Sequence, residues 1–398
     1  MKVVCAAMPG PGHAFPMLCV ARALARRGHD VVFSSSPEHA PDAADAGATS
    51  VPLPLTEGSP LHDLRPYLDS EHLARAYAPI VGDLAPDVMV VDLLTLGAGL
   101  AAEMNRVRYA NLLVHGLHLP SPDLPPFGWG GPPGRGIMRA RDAWMRRGQR
   151  RDLARARAHL NRARIALKLP PTARLDAQLS PDLLLVATLP SLEPPRRRWP
   201  TRAHVIGPCL WPTAAGAPEP PPGEGPLVLI AATTAWDNDR ILRAGLDAVA
   251  ALGARAIVTM GKAEIAGPLP PYVVAVRFAS HDDVLPWCDA VVCNGGHGIV
   301  ARALTNGVPL VVLPAAGDQR ENGYRVERAG AGVRVLRPAG LERALRRILT
   351  EPGFRARAED LRREATTLDG PGTAAVLVEA LAAGRVPVAT PPWLRRAA

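Results

Sequence analysis

One recurring unit constrains this chain more than anything else in it. A short apolar run ends in a turn, and an amphipathic helical pattern follows. Lys2–Met8 is the first such run, met by Pro9-Gly10-Pro11-Gly12. Phe15–Arg27 then sets Leu18, Ala21, Leu24 and Ala25 along one side, with Gly28 as its stop. Asp30–Ser35, Asp87–Val91, Tyr109–Val114 and Leu183–Ala187 are further runs of strand length. Apolar strands alternating with helices predict a parallel sheet covered on both faces. After the Pro/Gly-rich segment Pro212–Pro226 the theme repeats. Strands are expected near Leu227–Ala232, Arg255–Met260, Val273–Phe278, Ala290–Cys293, Pro309–Leu313 and Gly332–Val335, with helices from Asp239, Asp282, Gly298 and Gln319. Proline-rich chain is extended and semi-rigid, the composition of a linker. The expected organisation is a Rossmann-like unit over 1–212, a linker over 213–226, a second Rossmann-like unit over 227–384 and a tail over 385–398. Ligands of open α/β sheets bind outside the carboxyl ends of the strands, so two such doubly wound sheets should face each other across a cleft.

Composition narrows the function classes. At 398 residues and 47% apolar the chain has material for real cores, which excludes a disordered tail protein. No apolar run approaches the roughly 18–20 residues of a membrane span. The apolar start meets Pro9 too soon for a signal peptide. Five cysteines without a CxxC signal neither a disulfide framework nor a zinc site. A cytoplasmic protein is expected. The net charge of +9 comes almost wholly from Arg, densest between Arg135 and Arg164. There Leu153, Ala156, Leu160, Ala163 and Leu167 recur at helical spacing and predict one apolar seam. The basic side reads first as a solvated face, with a membrane-surface or acceptor-handling role as the alternative. With 4% aromatic residues, base-stacking platforms are poorly supplied and nucleic acid is not an expected partner. The Pro/Gly-rich stretch Pro120–Gly136 is expected to be a long surface loop.

The chemistry should lie at the strand ends. The loop after the first strand lacks the third glycine of a dinucleotide fingerprint, Phe15 standing there, and the second strand ends in Ser34-Ser35-Ser36 without a carboxylate. A nicotinamide-dependent oxidoreductase is thereby disfavoured. The loop does offer His13, and Asp92 follows the strand that should lie beside it. A carboxylate on one imidazole nitrogen leaves the other as a base; capping of a helix near Leu93 is the competing use of Asp92, and the two are compatible. In the second half, Cys293-Asn294-Gly295-Gly296-His297-Gly298 runs from strand to helix, where free amides and the helix dipole suit an anion. Asp318 and Gln319 offer a carboxylate and an amide suited to vicinal hydroxyls, against N-capping by Asp318. Thr233 and Thr234 add hydroxyls at the same edge.

These residues, above all GHAFP at the N-terminus and the long segment Cys288–Val333, resemble the inverting nucleotide-sugar-dependent glycosyltransferases of the GT-B fold, bacterial natural-product branch. The resemblance spans essentially the whole chain. It implies His13 as general base, Asp92 as its orienting partner, and Asn294, Gly295, Gly296, His297 and Gly298 as the diphosphate turn. It further implies Asp318 and Gln319 at the donor sugar, Phe278 and Ala279 at the nucleotide base, and Thr233 and Thr234 at the diphosphate. On the acceptor side the expected residues are Phe15, His115, Phe127 and Trp129. Asn294 stands where many relatives have His, and Ile299 where they have Ser or Thr, which shifts weight onto backbone amides. The implied reaction moves a sugar, by expectation a deoxysugar, from a dTDP- or UDP-sugar to a small hydrophobic acceptor, by a monomer or homodimer. No cofactor and no metal are called for; Asp237-Asn238-Asp239 reads as a helix start. The alternative is a non-catalytic GT-B relative that activates or partners another glycosyltransferase.

Overall fold

The computed structural model describes residues 1–54, 69–213, 215–232, 239–265 and 267–393. Seven parallel strands form the first sheet, in the order β3-β2-β1-β4-β5-β6-β7. They are β1 (Lys2–Ala6), β2 (Asp30–Ser35), β3 (Thr49–Pro52), β4 (Val88–Asp92), β5 (Arg108–Leu113), β6 (Leu183–Val186) and β7 (Ala203–Val205). The second sheet is parallel too, ordered β10-β9-β8-β11-β12-β13. Its strands are β8 (Leu227–Ala231), β9 (Arg255–Thr259), β10 (Val273–Val276), β11 (Ala290–Cys293), β12 (Leu310–Val312) and β13 (Gly332–Arg334). In each sheet the chain starts at a central strand, runs to one edge, then returns to the other side. The order therefore reverses between β1 and β4 and between β8 and β11, and ligand crevices open at such points.

The central strands are buried on both faces, which is why they read as unbroken apolar runs. Val3, Val4, Val88, Val90, Leu229 and Val292 have no exposed surface, and each such side chain contributes about 1.5–3 kcal/mol. Two edge strands, β3 and β7, were not expected from sequence. They are four and three residues long, and β3 ends in Pro52, as edge strands tolerate. The first helix starts at Pro11 rather than Phe15, because proline at the first helical position needs no N–H partner and has its φ preset.

The long helix Met138–Ala166 follows the Pro/Gly-rich loop. Its apolar seam is shorter than the spacing suggested. Leu160, Ala163 and Leu167 are buried, but Leu153 is half-buried and Ala156 exposed. Only its C-terminal part packs on the core, alongside Ala74 and Leu100.

The last helix, Gly370–Ala382, was grouped by sequence with the second unit but packs on the first sheet. Ala374, Leu377, Val378 and Leu381 share a core with Val3, Cys5 and Leu18. Glu379 there accepts from Arg27 and His29, each at 2.7 Å. The return crossing lies against the outgoing one: a Cβ on Gly370 would stand 2.6 Å from the Pro208 carbonyl, and one on Gly207 3.2 Å from Leu368. The expected tail also packs on the first unit, with Ala389 buried and Trp393 edge-on to Trp199.

Candidate active site

β1 gives way at Pro9-Gly10 to the helix Pro11–Arg26, and His13 is the third residue of that helix. It is a first-turn residue rather than the loop residue the sequence suggested. Because Ala6 pairs with Val91, the next residue of β4 sits at the same sheet edge. That residue is Asp92, fully buried, and its Oδ1 lies 2.7 Å from His13 Nδ1. Its Oδ2 accepts from the Leu94 amide at 3.0 Å, and the next helix starts only at Leu96. Asp92 thus fixes the turn before the helix while orienting the imidazole, so one carboxylate serves both. An ionised carboxylate only accepts, so Nδ1 carries the hydrogen and Nε2 keeps its lone pair. Burial acts most strongly on His13 and pushes its pKa down. The charge and hydrogen bond of Asp92, aided by Asp318, outweigh it and hold the imidazole above its ordinary 6.5.

On the second sheet, β11 ends at Cys293 and the chain turns through Asn294-Gly295-Gly296 into the helix His297–Thr305. Gly295 has φ +89°, and a Cβ there would stand 2.6 Å from Val312 Cγ1. Only glycine meets both conditions. Gly296 and Gly298 face open space, with no atom within 4 Å of a Cβ built on them. The helix has no side-chain cap, so the first-turn amides of His297, Gly298 and Ile299 lack an intrahelical acceptor and point at the opening. The His297 ring is engaged elsewhere: Nε2 donates to the Ala187 carbonyl at 2.9 Å, just beyond β6. Burial lowers its pKa, so the ring is neutral near pH 7. Asn294 is buried; it donates to Leu313 O at a long 3.4 Å, and its Oδ1 has no partner among the described residues.

Asp318 precedes the helix Gln319–Ala329 without capping it. Its Oδ2 accepts from Asn322 Nδ2 at 2.8 Å, and the same Asn322 nitrogen donates to Gly295 O at 2.9 Å. The Gln319 Oε1 accepts from the amides of Ala315 and Ala316 at 2.8 and 3.0 Å, which leaves its NH₂ as the group on offer. Phe278 is 61% exposed beyond β10, with Ala279 buried beside it. Thr233, Thr234, Asp237 and Asn238 lie outside the described residues. On the first unit, His115 stacks on Phe127 at 5.0 Å between centroids. Phe15 packs edge-on to His39 at 5.9 Å, and Trp129 lies beneath the Arg141 guanidinium at 5.3 Å. Among the described residues no group of three His, Cys, Asp or Glu is placed to hold a metal.

The profile described as Erythromycin biosynthesis protein CIII-like, C-terminal domain, matches residues 243–381. The chain is 32% identical to 4'-demethylrebeccamycin synthase of Lentzea aerocolonigenes, over 96% of this chain and 99% of that protein. It belongs to the bacterial natural-product glycosyltransferases of the GT-B fold. Among solved structures, the glycotransferase of kitacinnamycin is 24% identical with a TM-score of 0.79, over 96% of this chain and 98% of that one. VinC, solved in complex with dTDP, is 22% identical with a TM-score of 0.70, over 96% and 100%. The chain is thus an enzyme, a glycosyltransferase.

In this glycosyltransferase the sequence reading missed Asn322, which ties Asp318 to the glycine turn, and the groups that join the two halves. Asn322 had a signal, since it stands four residues after Asp318 on a helix. A buried ion cluster had none. Arg325, on the Asp318-Gln319 helix, donates from Nη1 to Glu193 Oε1 at 2.7 Å and from Nη2 to Leu117 O at 3.2 Å. Its Nε reaches Glu321 Oε1 at 3.3 Å, and Glu193 Oε1 also accepts from the Leu117 amide at 2.6 Å. A Cβ at Gly116 would fall within 1.9 Å of Arg325 Nη1. That glycine gives the guanidinium its seat beside the His115 loop.

Proposed function

We propose that this glycosyltransferase transfers a sugar from a nucleoside diphosphate donor to a small hydrophobic acceptor with inversion, using His13 as general base. The observation that carries the reading is the buried Asp92 carboxylate on His13 Nδ1 at 2.7 Å, which leaves Nε2 as the ring nitrogen able to act as the base. The acceptor hydroxyl sits at His13, on the side of His115 and Phe127. Nε2 takes its proton as the oxygen attacks the anomeric carbon, and the diphosphate departs from the opposite face. A single displacement inverts the carbon. The departing charge meets the amides of His297, Gly298 and Ile299, already oriented and unpaired, which is the logic of an oxyanion hole. With its ring bound to Ala187 O, His297 acts through its amide, and neither metal nor cofactor takes part. Asp318 and the Gln319 NH₂ hold the sugar hydroxyls, and Phe278 covers the base. The dTDP bound to VinC supports a thymidine donor, and relatives named as a 6-deoxyallosyltransferase and a 2-deoxy-L-fucose transferase support a deoxysugar.

The decisive experiment is transfer by His13→Ala with a panel of dTDP- and UDP-sugars and small hydrophobic acceptors. General bases typically supply about 10²–10⁴-fold, so turnover should fall by that much with donor affinity retained. Turnover near the wild-type rate would remove His13 from the chemistry.

A further inference from the structure

The mechanism leaves one large feature unused, the helix Met138–Ala166. Between Arg135 and Arg164 the sequence holds eleven Arg and two Asp, a net of +9; the other 368 residues hold 35 basic and 35 acidic side chains. The entire net charge of the chain therefore sits on one helix and the turn before it. Asp142 is also withdrawn from the surface, buried and bonded to Arg141 and the Gly134 amide.

The exposed side of this helix has a definite pattern. Ile137, Trp144, Arg151, Arg155 and Arg162 follow at intervals of seven, seven, four and seven residues, so they line one side. Ile137 is 88% and Trp144 76% exposed, the Arg155 side chain is 82% exposed, and Arg151 and Arg162 are exposed as well. An unburied Ile and Trp are costly to leave in water. Both stand at the end of the stripe that the core does not anchor.

We propose that this helix is a peripheral docking face for an anionic lipid surface, with Trp144 and Ile137 entering the interface and Arg151, Arg155 and Arg162 lying on the headgroups. Charge complementarity requires an anionic partner. The form of the stripe favours a plane over a protein. Protein interfaces centre on an apolar cluster with charges depleted from the middle, whereas this stripe has arginines along its length and its large apolar groups at one end. Basic helices carrying Trp at the headgroup level are the pattern of interfacial binding. Among the described residues no helix is long and apolar enough to cross a membrane, so the association is with the surface alone.

The test uses the full chain with vesicles of neutral phosphatidylcholine and vesicles containing 30 mol % phosphatidylglycerol, in about 0.15 M salt. Cosedimentation is expected with the anionic vesicles and not with the neutral ones. Trp144 emission should move to the blue and be quenched by brominated lipid, a signal that Trp144→Phe removes. Each basic side chain near such a surface is worth about fivefold in partition, so Arg155→Glu with Arg162→Glu should weaken binding about thirtyfold or more. That double variant should glycosylate a water-soluble acceptor at the wild-type rate without vesicles, since neither residue is among those placed at the donor or the acceptor; this separates the docking face from the catalytic reading. Binding that ignores lipid charge, a double variant that binds like wild type, or an unchanged Trp144 signal on bound protein would each overturn the proposal. Failure to bind anionic vesicles would overturn it in favour of an acidic protein partner.

Discussion

Arg325→Met puts a number on the join between the two halves. In the wild type the guanidinium is 3% exposed and its partner Glu193 0%. Methionine keeps most of the stem volume but removes three donors, those to Glu193, Glu321 and Leu117 O. Glu193 would keep one hydrogen bond, from the Leu117 amide, because its Oε2 already has no partner among the described residues. Removing one member of a buried ion pair typically costs about 3–5 kcal/mol, mostly from the charge left behind. The loss should therefore sit near that range. Adding Glu193→Gln removes the stranded charge while keeping an acceptor for Leu117, so the double variant should recover most of the loss. Urea titrations followed by both fluorescence and circular dichroism measure this, since the two halves need not unfold together. A loss below about 1 kcal/mol for Arg325→Met, or a double variant less stable than the single, would show that the cluster is solvated and the argument wrong.

The proposed base role requires a neutral His13, and Asp92 holds its pKa above 6.5, so on that proposal kcat/KM should rise with pH and level off above the raised value. Asp92→Asn should shift the rise to lower pH while cutting the plateau. The same pair contributes stability that is complete below pH 6.5 and fades as pH climbs through the folded-state pKa, which thermal melts across that window would detect. Asp318→Ala should raise KM for the donor sugar while leaving the affinity for free nucleoside diphosphate nearly unchanged by calorimetry; equal loss of both would assign Asp318 to holding Asn322 alone. Gly295→Ala forces a Cβ to 2.6 Å from Val312 at φ +89°. It should destabilise by about 1–3 kcal/mol and weaken diphosphate binding, and a variant with wild-type affinity would contradict the amide-turn reading.

The parts of the fold that were legible in the sequence are those with local causes. Val88–Val91 and Ala290–Cys293 are buried on both faces, so their composition alone announces strands. β3 and β7 are short edge strands, one closed by Pro52, and carry too little pattern to stand out from loops. The placement of Gly370–Ala382 could not be read, because its apolar side fits a sheet without saying which one. The pairing of His13 with Asp92 was legible because one comes just after a readable strand and the other closes the strand beside it. Glu193 and Arg325 are 132 residues apart, and no periodicity or spacing rule links them. His297 shows a subtler limit: its position was legible, but which acceptor its ring takes, Ala187 O, depends on how the halves approach.

The return of the chain at Leu368–Gly370 has a mechanical consequence. A body tethered once can tumble; one tethered twice at distant points can scarcely move. Here the outward and homeward passages touch, Gly207 and Pro208 against Leu368 and Gly370, so they act as a single pivot at one margin of the molecule. Any swing of the second half about that fulcrum has first to part the Arg325–Glu193 and His297–Ala187 contacts that hold the halves together.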